Sequence, residues 1–167
     1  YGRLTIVDGA SYVVFTSGST GVPKGVVVGP ENLWYFSEWY IRRAQIGTES
    51  VFSMVNPFHF DNFIADICSL TMSSGAGLLL TDPKNPLETV KQIESTSLTH
   101  WFSSPSMIRF LMATKVFSSA NLKSLSWLGF GGEAMYLTEI KKLAEMVPDG
   151  CALLNIYGPS ECTCIIS

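Results

Sequence analysis

The chain has 167 residues, 47% of them hydrophobic and 15% charged, and its 11 basic and 14 acidic side chains give a formal net charge of −3. That much apolar material excludes a disordered chain and suits one ordinary domain, which at this size buries about 70% of its extended surface. The mildly acidic balance has no basic run to track a phosphate backbone, and no apolar stretch approaches the ~20 residues that span a bilayer, so neither nucleic acid nor membrane is an expected partner.

The four cysteines, Cys68, Cys151, Cys162 and Cys164, form no Cys-x-x-Cys pair, and only His59 and His100 stand ready to complete a metal site. Zinc and a disulfide scaffold are both disfavoured, and reduced thiols in the cytoplasm are the expectation. The N-terminus has no basic region followed by an apolar one, so a signal peptide is not expected. A start at Tyr1 rather than methionine suggests an excised or processed piece.

In chain order, short apolar runs predict strands at 4–7, 12–15, 25–28, 51–55, 78–81, 98–102, 125–130 and 152–156. Several show little polar alternation, the pattern of strands covered on both faces. Helices are predicted between them. One opens at Pro30 and runs to Arg43, and another covers 62–73 behind Asp61, a favoured N-cap type. A third covers 87–95 behind Pro86, and the last two cover 105–114 and 136–146. Strand–helix alternation predicts an α/β fold, layered, with a mostly parallel sheet and flanking helices.

The most informative segment is Thr16-Ser17-Gly18-Ser19-Thr20-Gly21-Val22-Pro23-Lys24-Gly25, directly after the apolar run 12–15. Its glycines let consecutive N–H groups converge on an anion, its hydroxyls add neutral donors, and Lys24 adds a point charge. Charge-assisted hydrogen bonds contribute roughly 1.5–3 kcal/mol each, so a handful would hold a polyphosphate. A P-loop is excluded by spacing, because that motif needs Gly-Lys followed by Ser or Thr, whereas Pro23 precedes Lys24 and Gly25 follows it.

This segment resembles the phosphate-binding signature of the adenylate-forming superfamily, which includes acyl-CoA synthetases, luciferases and the adenylation domains of nonribosomal peptide synthetases. Asn155-Ile156-Tyr157-Gly158-Pro159-Ser160-Glu161 is similar to the family's Asn-x-Tyr-Gly-Pro-Thr-Glu segment, with Ser160 in place of threonine. Phe58-His59-Phe60-Asp61 resembles the Phe-x-Phe-Asp element of amino-acid-activating members, and Gly131-Gly132-Glu133 resembles their Gly-Gly-Glu turn. The resemblance spans essentially the whole chain and is nearest to D-alanine–carrier protein ligases and peptide-synthetase adenylation domains.

The resemblance implies ATP-dependent activation of a carboxylic acid, in the first instance an amino acid, as an acyl-adenylate for a carrier-protein thiol, with Mg²⁺ as cofactor. A carboxylate is already ionised at neutral pH, so no general base is needed and the enzyme's burden is electrostatic. Thr16, Ser17, Gly18, Ser19, Thr20, Gly21 and Lys24 would grip the phosphates. Gly131, Gly132, Glu133, Asn155, Tyr157, Gly158 and Ser160 would surround the nucleotide, with Tyr157 against the adenine unless it is a buried structural tyrosine. Glu161 would hold Mg²⁺ unless it merely starts a helix, and Thr16, Lys24 and Glu161 are the implied catalytic groups.

Asp61 would pair with a substrate ammonium group, or else cap the helix that follows it. The acid pocket would be lined by Asn62, Ala65, Phe102, Gly129, Gly131, Ile156, Cys164 and Ile165, with Phe102 filling space and Gly129 and Gly131 opening it. Phe63 stands where relatives often have serine, and His59 reads as packed beside the site. The downstream aspartate and lysine of the family are absent, so residues 1–167 read as the central segment of an AMP-binding domain, within its large N-terminal part and without its C-terminal subdomain. Alternatives are acid activation for coenzyme A and a non-catalytic nucleotide-binding module.

Overall fold

The computed structural model describes residues 8–16, 21–73, 77–80, 82 and 85–166. The expected strand at 4–7 and the loop residues Ser17, Gly18, Ser19 and Thr20 lie outside the described residues.

The chain opens with β1 (Tyr12–Thr16) and β2 (Lys24–Val28), followed by α1 (Pro30–Ala44). Then come β3 (Val51–Met54), α2 (Asn62–Met72), β4 (Gly77–Leu80) and α3 (Pro86–Thr96). The last part runs β5 (His100–Ser103), α4 (Pro105–Ala113), β6 (Trp127–Gly131), α5 (Leu137–Ala144) and β7 (Ala152–Ile156), ending in a single 3₁₀ turn at Ser160–Cys162. Strands β3 to β7 form one sheet in the order β4-β3-β5-β6-β7, with every neighbouring pair parallel. Each crossover carries a helix, as parallel pairing requires. The expected α/β fold with a mostly parallel sheet is therefore present.

Alternation along the central strands sorts the core into two layers. On one face Trp101, Leu128 and Phe130 pack with Ile108, Leu111 and Leu143 from α4 and α5. On the other, Phe102, Trp127 and Ile156 pack with Phe36 and Tyr40 of α1 and Ala65 and Cys68 of α2. Both faces of β5 and β6 are buried at every position, which is why their sequences show no polar alternation.

Strand starts differ from the expected ones for local reasons. β5 begins at His100 rather than 98 because the Leu98 N–H bonds back to the Ile93 carbonyl, closing α3 behind the left-handed Ser97. β6 begins at Trp127 because Leu125 N–H closes a turn on the Leu122 carbonyl.

The first two strands depart from expectation more deeply. They form a separate antiparallel ribbon, not part of the parallel sheet, and β1 alternates between half-buried and exposed positions. Tyr12, Val14 and Thr16 face inward, while Val13 and Phe15 face out, Phe15 with 72% of its surface exposed. An apolar outward face disguised the alternation in the sequence.

Candidate functional site

In open parallel sheets, ligand crevices lie beyond the carboxyl ends of the strands, where the strand order reverses. Here that reversal falls between β3 and β5. A cavity of about 720 Å³ occupies this position. Its walls are the turns that leave the strands: Val55–Pro57 after β3, Ser103 and Ser104 after β5, Gly131–Glu133 after β6, and the segment from Ile156 to Ile165 after β7.

The ribbon delivers Thr16 to this cavity. Register sets Thr16 opposite Lys24, so the two stand on the same face of the ribbon at the base of the Gly- and Ser-rich loop. Lys24 is exposed and does not itself line the cavity. Gly21 takes φ +79° with open space beside it, a left-handed turn that suits glycine.

Asp61 lines the cavity, and its Oδ2 accepts a hydrogen bond from the Ser160 hydroxyl. It precedes α2 but makes no capping bond, and its own backbone is already helical. The capping alternative is thereby removed, and the carboxylate is directed across to the Tyr-Gly-Pro-Ser-Glu segment instead. Glu161 also lines the cavity, exposed and without a hydrogen-bond or ion-pair partner among the described residues. A free carboxylate of this kind suits Mg²⁺, which takes one or two carboxylates and fills its shell with water and phosphate oxygens. Among the described residues no group of three His, Cys, Asp or Glu side chains gathers as a metal cage.

Of the eight expected acid-pocket residues, Asn62, Phe102, Gly131, Ile156, Cys164 and Ile165 line the cavity; Ala65 and Gly129 do not. Ala65 is fully buried on the inner face of α2. The space beside Gly129 is already filled by the Trp127 ring and Ile156, so this glycine admits its neighbours' side chains rather than opening the pocket. At Gly131 an added methyl would come closer than 3.0 Å to the Ile156 carbonyl, so glycine is demanded there by strand contact. Gly132 turns with φ +86° and faces the Asn62 amide.

The segment after β7 folds back on itself. Ile166 N–H bonds to the Tyr157 carbonyl at 2.9 Å, and Gly158 packs so closely on the Cys164 backbone that no side chain fits. This fold-back is what brings Cys164 and Ile165 to the cavity. Burial and, secondarily, the nearby Asp61 charge push the Cys164 thiol well above its usual range. Tyr157 does not line the cavity, though its neighbours Ile156 and Gly158 do; it is 67% exposed, which removes the buried-tyrosine alternative. Asn155 sits on the edge strand β7, in a hollow with Trp39 and Arg43 away from the main cavity. His59 is exposed off the cavity wall, its ring 4.6 Å from that of Phe60.

Glu133 lines the cavity with its carboxylate already engaged. Oε2 accepts from Ser106 N–H at 3.2 Å and from the Ser106 hydroxyl, with Arg109 Nη1 at 3.6 Å. Arg109 in turn donates to Glu139 at 2.7 and 3.1 Å, raising its own pKa and lowering that of the glutamate. This clasp ties the Gly-Gly-Glu turn to the first turn of α4.

Sequence reasoning missed the clasp, and it missed the pair Asn56–Asp66 beneath the cavity floor. The second had a signal: Asp66 lies between Ala65 and Ile67 in an otherwise apolar stretch of helix.

A family model described as AMP-binding enzyme matches residues 7–167. The chain is 30% identical over 158 residues to the D-alanine–D-alanyl carrier protein ligase of Bacillus velezensis, covering 93% of this chain and 31% of that protein. It is 29% identical over 167 residues to the L-proline–[L-prolyl-carrier protein] ligase of Streptomyces coelicolor, covering 96% of this chain and 31% of the relative. Among solved structures, the Vibrio cholerae adenylation domain AlmE in complex with glycyl-adenosine-5'-phosphate superposes with TM-score 0.81 at 27% identity, over 95% of this chain and 30% of that one. The chain thus spans about 31% of the length of the curated relatives it matches. It belongs to the AMP-binding enzyme family.

Proposed function

We propose that the protein carrying this segment is a ligase that activates an amino acid with ATP as an aminoacyl-adenylate and passes it to a carrier-protein thiol. The observation that carries this reading is that one cavity collects Thr16 from the base of the phosphate loop, Asp61, and the Ser160-Glu161 pair. Three chemistries are needed side by side: a grip on polyphosphate, a counter-charge for an ammonium group, and an oxygen donor for a divalent cation.

In the activation step a substrate carboxylate oxygen forms a bond to the α-phosphorus of ATP. The bond from that phosphorus to the bridging oxygen breaks, and pyrophosphate leaves with the electron pair; no proton is transferred. The chain's residues contribute position and charge. Thr16 and Lys24, with Ser17, Gly18, Ser19, Thr20 and Gly21, hold the β- and γ-phosphates. Tyr157 offers an exposed aromatic face for the adenine, next to the cavity-lining Gly158, and the Gly131-Gly132 backbone gives close approach. Glu161 would hold Mg²⁺, which would neutralise charge on the phosphates. Asp61, kept in place by Ser160, receives the ammonium group.

The carrier-protein acceptor is supported by the names of the relatives, both carrier protein ligases. Free thiols and ATP use fit a reducing cytoplasm. Among the described residues no helix is long and apolar enough to cross a membrane. We read residues 1–167 as the central segment of a longer adenylation domain.

Asp61→Ala tests this. In the intact enzyme it abolishes amino-acid-dependent pyrophosphate exchange, because a desolvated charge pair is lost, roughly 3–5 kcal/mol. Undiminished exchange would instead favour an acid without an amine, as in activation for coenzyme A.

A further inference from the structure

Beneath the cavity lies a polar pair that the activation chemistry does not use. Asn56 follows β3 in Val55-Asn56-Pro57, is 8% exposed and lines the cavity; Asp66 on α2 is 2% exposed and lies behind it. Asn56 Nδ2 stands 3.2 and 3.1 Å from the two Asp66 oxygens and 3.2 Å from the Phe102 carbonyl oxygen. A backbone carbonyl only accepts, so the amide atom facing it is the nitrogen, and this fixes which way the amide points. Both N–H groups are then spent on Asp66 and Phe102. The side-chain oxygen has no hydrogen-bond partner among the described residues and opens on the cavity that Asn56 lines.

Depth indicates what that oxygen meets. Asp61 is only half-buried and is tied to Ser160 beside the nucleotide segment, whereas Asn56 is buried on the floor among Val55, Phe102 and Met107. Asp61 and Asn56 line one cavity, so a substrate anchored by its ammonium group at Asp61 shares its space with the Asn56 amide. We propose that Asn56 Oδ1 is a specificity-determining acceptor that takes a hydrogen bond from a hydroxyl or amide donor on the side chain of the activated amino acid, an assignment that rests on the amino-acid-activating reading above. An apolar side chain leaves this acceptor dry and unpaired, and sites built to receive a donor reject analogues that lack it. Asp66 acts through Asn56, as a positioning residue.

The test is pyrophosphate exchange by the intact enzyme with two matched pairs, serine against alanine and threonine against valine. The expected result is a kcat/KM preference of about 10- to 100-fold for the hydroxyl member of at least one pair. The double variant Asn56→Leu/Asp66→Leu, folded by circular dichroism, reduces that preference at least about tenfold, chiefly by losing the hydroxyl substrate. Asp66→Asn keeps the preference, since its side-chain oxygen still accepts from Asn56. A wild-type preference for the apolar member, or a double variant that loses both members of a pair equally, overturns the assignment while leaving amino-acid activation intact. Exchange with none of the amino acids, but with acids lacking an amine, overturns both readings. If the double variant does not fold, Asn56→Ala removes the acceptor oxygen alone, and an unaltered preference in it overturns the assignment.

Discussion

The parallel sheet and the antiparallel ribbon meet at one cavity, yet their residues answer to different demands. In β5 and β6 every position is buried and packing dictates identity, even for residues that look like ligand signatures. Gly129 and Gly131 are glycines because Trp127 and Ile156 already occupy the space a side chain would need. In the ribbon, Phe15, Val27 and Lys24 are exposed, and little in the folding of the chain requires them. Where packing leaves a residue free, its identity is open to a ligand's demands. The motif residues most telling for function are therefore those the fold needs least.

The sharpest way to break this contrast is to truncate one aromatic ring from each region. Trp101 is fully buried, packs edge-on against Phe117 with centroids 5.0 Å apart, and donates its indole N–H to Ser103 at 2.8 Å. Trp101→Ala lowers stability by about 3–5 kcal/mol, with the indole bond to Ser103 lost along with the packing. Phe15→Ala on the ribbon changes stability by less than about 0.5 kcal/mol. Urea denaturation of the two variants side by side measures both; a similar loss in each would show that the ribbon is as integral to the core as the sheet.

A second experiment sharpens the comparison inside the sheet layer. Burial raises the Asp66 carboxyl well above its usual range, and the bonds from Asn56 offset this only in part. A raised pKa means that the folded state holds the proton more tightly than the unfolded one. The contribution is complete below the unfolded carboxyl range near ~4 and is lost as pH rises through the folded value. Asp66→Asn cannot lose that proton. Stability of the wild type therefore declines relative to Asp66→Asn as pH rises above ~4, by up to about 1.4 kcal/mol per pH unit until the folded carboxyl ionises. Parallel pH–stability curves would show that Asp66 is ionised in the folded protein.

Much of the architecture was legible because helix starts are chemically explicit and strand runs are short and apolar. Pro30, Pro86 and Pro105 mark the first turns of α1, α3 and α4. The ribbon was misread because Val13 and Phe15 put apolar side chains on its solvent face, erasing the period-two signal that marks half-exposed strands. At the site, contiguous motifs were readable and contacts between distant segments were not. Ser160 and Asp61 lie 99 positions apart, and Ser106 and Glu133 lie 27 apart, so spacing gives no hint of either bond. The family resemblance puts Ala65 in the pocket, but the turn of α2 carries it into the core.

The mildest perturbation to the fold addresses the ribbon directly. Lys24 is exposed and stands opposite Thr16, whose side chain reaches the cavity. Gly21 has room for a methyl group, but its φ of +79° makes a side chain there strained. Lys24→Ala alone leaves stability within about 0.5 kcal/mol of wild type, since it removes no packing. Adding Gly21→Ala stiffens the loop away from its left-handed turn and costs roughly 1 kcal/mol. If the loop grips a polyphosphate, removing one charge-assisted contact weakens ATP binding by about 10- to 150-fold, measured by calorimetry on the folded single and double variants. Unchanged affinity in both would detach the ribbon from the nucleotide. The cavity would then have to draw its phosphate contacts from the strand ends alone, where Ser103, Ser104 and the Gly131-Gly132 turn are among the neutral groups lining it.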